Sequence, residues 1–201
     1  MLGVSYQNLP IEGAMKAFEE AIPGLEGVAH ENMQSRTRGV ILMALSNAGG
    51  DLLLTTGNKS EMAVGYATLY GDMNGGFNAL KDVYKTQVYA LAKWRNERGM
   101  VIPERIITKV PSAELREGQS DQDSLPAYDV LDDILQGLIE NQESLESIAA
   151  RGHDMETIQN VAHLLRVTEY KRYQAPLGAK ITVRAFGRDR RYPMSNHYKF
   201  D

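Results

Sequence analysis

Apolar residues recur along the chain with two different periods. Val4, Tyr6 and Leu9 alternate loosely with polar neighbours and predict a short strand near the N-terminus. Ile11, Ala14, Phe18 and Ala21 fall at helical spacing and predict a first helix. A longer helix is predicted from Ala29 to Ser46, with Asn47 and Gly49 as its stop signal. The run "DLLLTT" (51–56) is too short for a helix and predicts a buried strand. A helix is predicted to start near Ser60, whose hydroxyl can cap it. "GDMNGG" (71–76) predicts a turn, and "DVYKTQVYALAKWRNERG" (82–99) a helix with Asp82 as cap and Gly99 as stop. Tyr84, Val88, Leu91 and Ala92 are its expected core residues.

The next stretch, 102–129, holds three prolines and many polar residues and predicts a long, mostly irregular segment. Three amphipathic patterns follow: "VLDDILQGLIE" (130–140), "SLESIAARG" (144–152) and "DMETIQNVAHLLRVTEYKRYQ" (154–174). His163 lies among the apolar residues of the last one and reads as structural. The tail from Gly178 to Asp201 predicts extended or irregular chain. Strands alternating with helices in the first half imply an α/β fold, a parallel sheet with helices on both faces, followed by a mainly helical second half. The predicted strands are few for such a sheet.

The length of 201 residues fits one domain, and 43% hydrophobic with 24% charged residues supports a globular core. No apolar run approaches the length of a membrane span, and the N-terminus lacks the charge pattern of a secretory signal. The absence of cysteine excludes disulfides, zinc–thiolate sites and thiol catalysis and is compatible with the cytoplasm. A net charge of −4 argues against a general nucleic-acid binder. The charge is uneven: residues 114–146 carry ten acidic side chains and one basic, whereas 166–199 carry nine basic and two acidic. A basic C-terminal segment on an acidic protein suggests an anionic ligand or partner.

Candidate chemistry clusters at the end of "DLLLTTGNKSE" (51–61), where a strand passes through a small-residue turn into a helix start. Such positions lie where ligands bind in parallel sheets, and helix N-terminal amides favour anions. Thr56 offers a hydroxyl, Lys59 a charge, and Glu61 an oxygen ligand suited to Mg2+ bridging to phosphate. A plain polar cap explains the same residues equally well. In "ENMQSRTRG" (31–39), Asn32 shares a helix face with Arg36, and Gln34 with Arg38. These planar side chains suit nucleotide or phosphate recognition, and a solvated helix face with Glu31–Arg pairs is the alternative. Lys85 near a helix start opposes the dipole and hints at an anion. His30, His153, His163 and His197 show no metal spacing, and no Walker A loop or G-x-G-x-x-G fingerprint is present.

In order along the chain stand "ENMQSRTRG", "LTTGNKSEMAVGYATLYGDMNGGF", "DVYKTQVYALAKW", "PSAELREGQSDQDSLPAYDVLD" and "EYKRYQAPLGAKITVRAFGRDRRYP". Together they resemble the synthetase domain of glutamine-dependent NAD+ synthetases over nearly all of residues 1–201. The resemblance implies the adenine-nucleotide alpha-hydrolase type of fold (N-type ATP pyrophosphatase). It implies a two-step reaction: ATP adenylates the nicotinate carboxylate of deamido-NAD+, and ammonia then displaces AMP to give NAD+. Implied with it are Mg2+, ammonia from glutamine through a nitrilase-like domain, a cytoplasmic setting and pairing of synthetase domains as homodimers.

By the same resemblance, Asn32 in "ENMQSR" and Lys171 in "EYKR" match deamido-NAD+ contacts, and Thr56 in "TTGN" matches an ATP contact. Glu61 matches an acidic position tied to Mg2+ or deamido-NAD+. Arg36 and Asp72 fall in motifs assigned to deamido-NAD+, and Lys85 and Ser112 in motifs assigned to ATP. The basic tail is expected to face these polyanions. The family's S-G-G-x-D-S pyrophosphate loop does not occur in the sequence. The expectation is therefore a partial domain, incomplete at the N-terminal side of the sheet and inactive as a synthetase alone. The alternatives are a non-catalytic substrate-binding or assembly module, and another ATP pyrophosphatase, such as a GMP or tRNA-modifying relative.

Overall fold

The computed structural model describes residues 3–195; His197 and the rest of the tail beyond Ser195 lie outside the described residues. In chain order the elements are α1 (Glu12–Ala21), α2 (Gly27–Gly49), β1 (Leu54–Thr55), α3 (Lys59–Val64), β2 (Phe77–Asn78), α4 (Lys85–Asn96), α5 (Glu104–Thr108), α6 (Tyr128–Gln136), α7 (Leu145–Ala149), α8 (Met155–Val167) and α9 (Glu169–Tyr173). A single π-type turn, Gly137–Asn141, extends α6. The two strands are parallel, with Leu54 beside Phe77 and Thr55 beside Asn78. The tail runs along the far side of β2, where Asn78 N–H donates to the Leu177 carbonyl at 2.7 Å.

The apolar core lies among α3, α6, α7 and α8. Met62, Ala63, Leu131, Ile134, Leu135, Ile148, Ile158, Val161 and Leu165 are buried there, with Phe186 of the tail closing it. These positions fall at the three- and four-residue spacing that made the helices legible. By contrast α2, 23 residues long, buries only Ser35, Thr37 and Gly39. It approaches the turn after α3 very closely: a Cβ at Gly39 would lie 2.5 Å from Asn74 Nδ2 and 3.0 Å from the Tyr70 and Gly71 carbonyl oxygens. Glycine there sets the helix-to-turn spacing.

Several expectations are corrected. Residues 3–11 form no strand and are mostly exposed, because alternation alone makes no strand without a neighbour to pair with. The "DLLLTT" run is a strand but not a buried one. Leu52 is 66% and Leu54 56% exposed, and among the described residues nothing covers that face. Asn58, not Ser60, caps α3: its side chain accepts from Glu61 N–H at 3.0 Å while Glu61 Oε2 accepts from Asn58 N–H at 3.0 Å, a reciprocal capping box. Ser60 instead bonds Asp132. Asp82 caps nothing, since α4 starts after Tyr84. Tyr84 is buried but Leu91 is exposed, because α4 turns no fully buried face inward. The predicted helix over 154–174 breaks at Thr168, whose hydroxyl donates to the Leu164 carbonyl at 2.7 Å. His163 is exposed beside Arg166 rather than in the core.

Asp82 faces the centre of a buried polar network. Lys59 is fully buried, and its Nζ lies 2.8 Å from Asp82 Oδ1 and 2.5 Å from Glu140 Oε1. It also donates to Thr182 Oγ1 at 2.5 Å and the Arg184 carbonyl at 2.9 Å. The rings of Tyr84 and Phe186 stand 5.1 and 5.5 Å away. Asp82 Oδ2 in turn accepts from the Ile181 and Thr182 N–H groups, each at 2.7 Å.

Removing one partner strands the others without water, so Asp82→Asn and Lys59→Met are each expected to cost about 3–5 kcal/mol in urea unfolding. Burial pushes the Asp82 carboxyl up, but Lys59 and the two backbone donors more than offset it and hold it below the ordinary carboxylate range. Its stabilising contribution is therefore complete above about pH 4 and drains away as pH falls through the lowered folded-state value. Urea midpoints measured from pH 6 downward should show that loss in the wild type and not in Asp82→Asn.

Candidate functional site

The N-terminal turns of α3 and α4 are clamped side by side. Asp132, buried on α6, accepts from Ser60 Oγ through one oxygen and from the Thr86 N–H and hydroxyl at 2.8 and 2.7 Å through the other. Burial pushes this carboxyl upward, and the same donors oppose that. The clamp sets Glu61 of α3 against Lys85, the first residue of α4, with Lys85 Nζ 2.9 Å from Glu61 Oε1 and 5.3 Å from the centre of the Tyr128 ring. Burial lowers the affinity of Lys85 for its proton, but Glu61 more than restores it, so the ammonium is held above its usual range.

Beside this pair opens a cleft of about 650 Å3. One wall is α2, which presents Glu31, Asn32 and Ser35; the turn after α3 supplies Tyr66, Thr68 and Asp72. Asn32 Oδ1 accepts from Thr68 Oγ1 at 2.9 Å. Asp72 Oδ1 accepts from Thr68 N–H at 2.6 Å and Ser35 Oγ at 3.2 Å. The opposite wall comes from the irregular segment between α5 and α6, through Ala113, Leu115, Arg116, Gln119, Ser120 and Ser124. Arg116 Nε reaches across to Glu31 Oε1 at 3.3 Å. This segment is anchored by Asp121, which accepts from the Tyr128 hydroxyl at 2.6 Å.

Lys171 enters the cleft from α9, where its Nζ donates to the Gly65 and Ala67 carbonyls, each at 2.7 Å. Burial pulls its pKa below the ordinary lysine value, and Arg36 adds to this while Asp72 opposes it. The position of α9 is fixed by Arg172, whose guanidinium is buried between Glu169 Oε2 at 2.8 Å and the Ala63 carbonyl at 2.7 Å.

Of the residues expected from sequence, Asn32, Asp72 and Lys171 line one cleft. Glu61 and Lys85 form a separate ion pair. Thr56 is exposed at the end of β1, while its neighbour Thr55 is buried and donates to the Asn74 carbonyl at 2.8 Å. Arg36 is turned aside, its Nε donating to the Leu69 carbonyl at 3.1 Å. Ser112 precedes a cleft residue, and its Oγ accepts from Glu114 N–H at 3.1 Å. Sequence reasoning passed over Ser35, Tyr66 and Thr68. Ser35 was findable, because it lies three positions after Asn32 on the same helix face. Of the basic C-terminal segment, Lys171 lines the cleft, whereas Arg184, Arg188, Arg190 and Arg191 line other cavities.

Among the described residues no cluster of three or more His, Cys, Asp or Glu side chains could hold a metal. Mg2+ commonly takes one or two carboxylates plus phosphate oxygens and water, and Glu61 fits that limited role as a single hard oxygen donor.

A family profile described as NAD synthase matches residues 1–175. The glutamine-dependent NAD(+) synthetase of Xanthomonas campestris pv. campestris (strain 8004) is 53% identical over 204 residues, covering 98% of this chain and 37% of the relative. That of Rhodobacter capsulatus is 51% identical over 212 residues, covering 98% and 38%. The chain thus spans well under half the length of these curated relatives. Among solved structures, NMN synthetase from Francisella tularensis superposes with a TM-score of 0.66 at 25% identity, over 80% of this chain and 61% of that one. The expected α/β, adenine-nucleotide alpha-hydrolase-like class is the fold these proteins share. The profile spans most of the chain, cleft and clamp included, and the chain belongs to the NAD synthase family.

Proposed function

We propose that this chain carries the dinucleotide-recognition part of an ATP-driven ligase that amidates deamido-NAD+ to NAD+. The observation that supports the reading best is the meeting of Asn32, Asp72 and Lys171 in one cleft, from three distant parts of the chain. In the proposed reaction the nicotinate carboxylate attacks ATP, forming an acyl-adenylate and releasing pyrophosphate. Ammonia, drawn from glutamine in the whole enzyme, then attacks the acyl carbon, loses a proton, and expels AMP.

Within this reading Lys171 offers a partly desolvated cation to the substrate's negative charge, where such contacts are strongest. Asn32 and Thr68 hydrogen-bond its polar groups, and Asp72 accepts from a ribose hydroxyl. Thr56, Lys85 and Ser112 face the ATP side, and Arg36 supports the cleft from behind through the Leu69 carbonyl. Lys85, already paired with Glu61, can exchange that carboxylate for a phosphate oxygen, which frees Glu61 to hold Mg2+. The metal, when bound, neutralises phosphate charge. No S-G-G-x-D-S loop occurs in the sequence to cradle the remaining ATP phosphate oxygens. The exposed apolar side chains Val40, Leu42 and Leu45 of α2 are the proposed contact with a second synthetase domain.

Calorimetric titration of the 201-residue protein with deamido-NAD+ should show saturable binding. Loss of a charge-assisted contact is worth about 1.5–3 kcal/mol, so Lys171→Ala should weaken binding roughly 10- to 100-fold. Absence of binding by the wild type would sink the reading.

Because the Lys171 pKa is lowered, it loses its proton before an ordinary lysine does. Affinity should therefore decline on the alkaline side before about pH 10.4 is reached, and Lys171→Arg should abolish that decline.

With deamido-NAD+, ATP, Mg2+ and ammonium, the isolated chain is expected to form no NAD+ above background. Robust production, followed by a coupled dehydrogenase assay, would overturn the expectation that the chain needs a further phosphate-gripping loop.

A further inference from the structure

The tail carries more positive charge than the cleft uses. Lys171 lines the cleft, but Arg184, Arg190 and Arg191 converge on a separate cavity of about 220 Å3 that shares no lining residue with it. That volume is about a third of the cleft's.

The cavity is built on the π-type turn that ends α6. Such turns recur at functional sites because they redirect backbone and side chains out of helical register. Here the turn ends in Gln142, held at φ 56°. Its Oε1 accepts from Arg184 Nη2 at 2.7 Å, which fixes the guanidinium plane. Among the described residues Arg184 Nε is buried and has no hydrogen-bond partner. A buried charged donor without an acceptor is rare in folded proteins and needs an explanation, of which a bound water or ion is one. The other two arginines are held by their faces. Arg190 stacks on Tyr192 at 4.3 Å and Arg191 on Tyr173 at 4.4 Å, contacts that leave N–H edges available.

The nearby carboxylates are already engaged. Asp189 Oδ2 accepts from Lys180 Nζ at 2.6 Å and Ala185 N–H at 3.0 Å. Glu140 accepts from Lys59 through one oxygen and from Arg184 N–H at 2.9 Å through the other. Glu169 Oε2 is held chiefly by Arg172 at 2.8 Å, and Arg190 Nη1 lies farther, at 3.4 Å. Three arginines thus line the cavity together with one carboxylate, Asp189, whose Oδ2 is engaged by Lys180 and the Ala185 N–H.

We propose that this cavity is a binding site for a small phosphate-class oxyanion, separate from the dinucleotide cleft. Planar guanidinium forks match the paired oxygens of phosphate, which a monatomic halide lacks, so the preference should be chemical and not merely one of charge. Free phosphate and pyrophosphate share this chemistry, and titrating each separately tells them apart.

The test titrates inorganic phosphate and, separately, pyrophosphate into the 201-residue protein at constant ionic strength set with sodium chloride, following heat and thermal midpoint. Ligand that binds only the folded state raises the midpoint in a saturable way. Saturable binding of at least one of the two is expected, retained in Lys171→Ala and at least tenfold weaker in Arg184→Gln and in Arg191→Gln. Arg191 is exposed, so its variant should fold even if Arg184→Gln does not, and it then decides the outcome alone. No saturable binding of either anion would overturn the proposal. So would binding that Lys171→Ala removes and Arg191→Gln leaves intact, which would place the anion in the cleft.

Discussion

The ammonium of Lys59 is sealed from solvent, and a buried charge is tolerated only where opposite charges and acceptors surround it. Those partners come from separate places in the chain: Asp82 before α4, Glu140 in the turn after α6, and Thr182 with the Arg184 carbonyl in the tail. Satisfying one side chain therefore fixes the junction of sheet and α4, the end of α6, and the path of the tail. Lys59 is also the first residue of α3. The helix that carries Glu61, and whose last turn leads to the Gly65 carbonyl held by Lys171, is anchored by the same group.

A second buried cation does for the cleft what Lys59 does for the sheet end. Arg172 draws α9 onto the carbonyls of Met62, Ala63 and Leu165, and so places Lys171, its neighbour in sequence, at the cleft. On the other side Gly39 lets α2 approach the turn that bears Asp72. The cleft is thus bounded by a helix, a turn and an irregular segment, and its polar side chains are held by short local bonds. This suits the proposed recognition of a polar dinucleotide, because pre-oriented groups lose little freedom on binding.

Helix existence was legible wherever apolar residues recur every three or four positions, as in α1, α6 and α8. Caps were less legible. Ser60 and Asp82 are good cap types, yet both serve tertiary contacts, to Asp132 and Lys59, while Asn58 caps α3. Local propensity cannot weigh a partner far away in sequence. The apolar "DLLLTT" run shows a related limit. Its composition marks what could be buried, and burial depends on what packs against it. For the site, Asn32, Asp72 and Lys171 followed from motif resemblance and Ser35 was within reach of helix periodicity, whereas Tyr66 and Thr68 needed the geometry of facing elements.

The amino-acid sequence by itself determined the family, the alternation of helices with a parallel sheet, the exclusion of thiol chemistry, and the concentration of positive charge near the C-terminus. These depend on residue type and order, which are local and complete in one dimension. Only the tertiary structure decided where that charge goes. It divides the tail, committing Arg172 to a buried clamp, Lys171 to the cleft, and Arg184, Arg190 and Arg191 to a second cavity. The reason is electrostatic: a cation's role is set by which acceptors and rings surround it, and those neighbours come from distant parts of the chain.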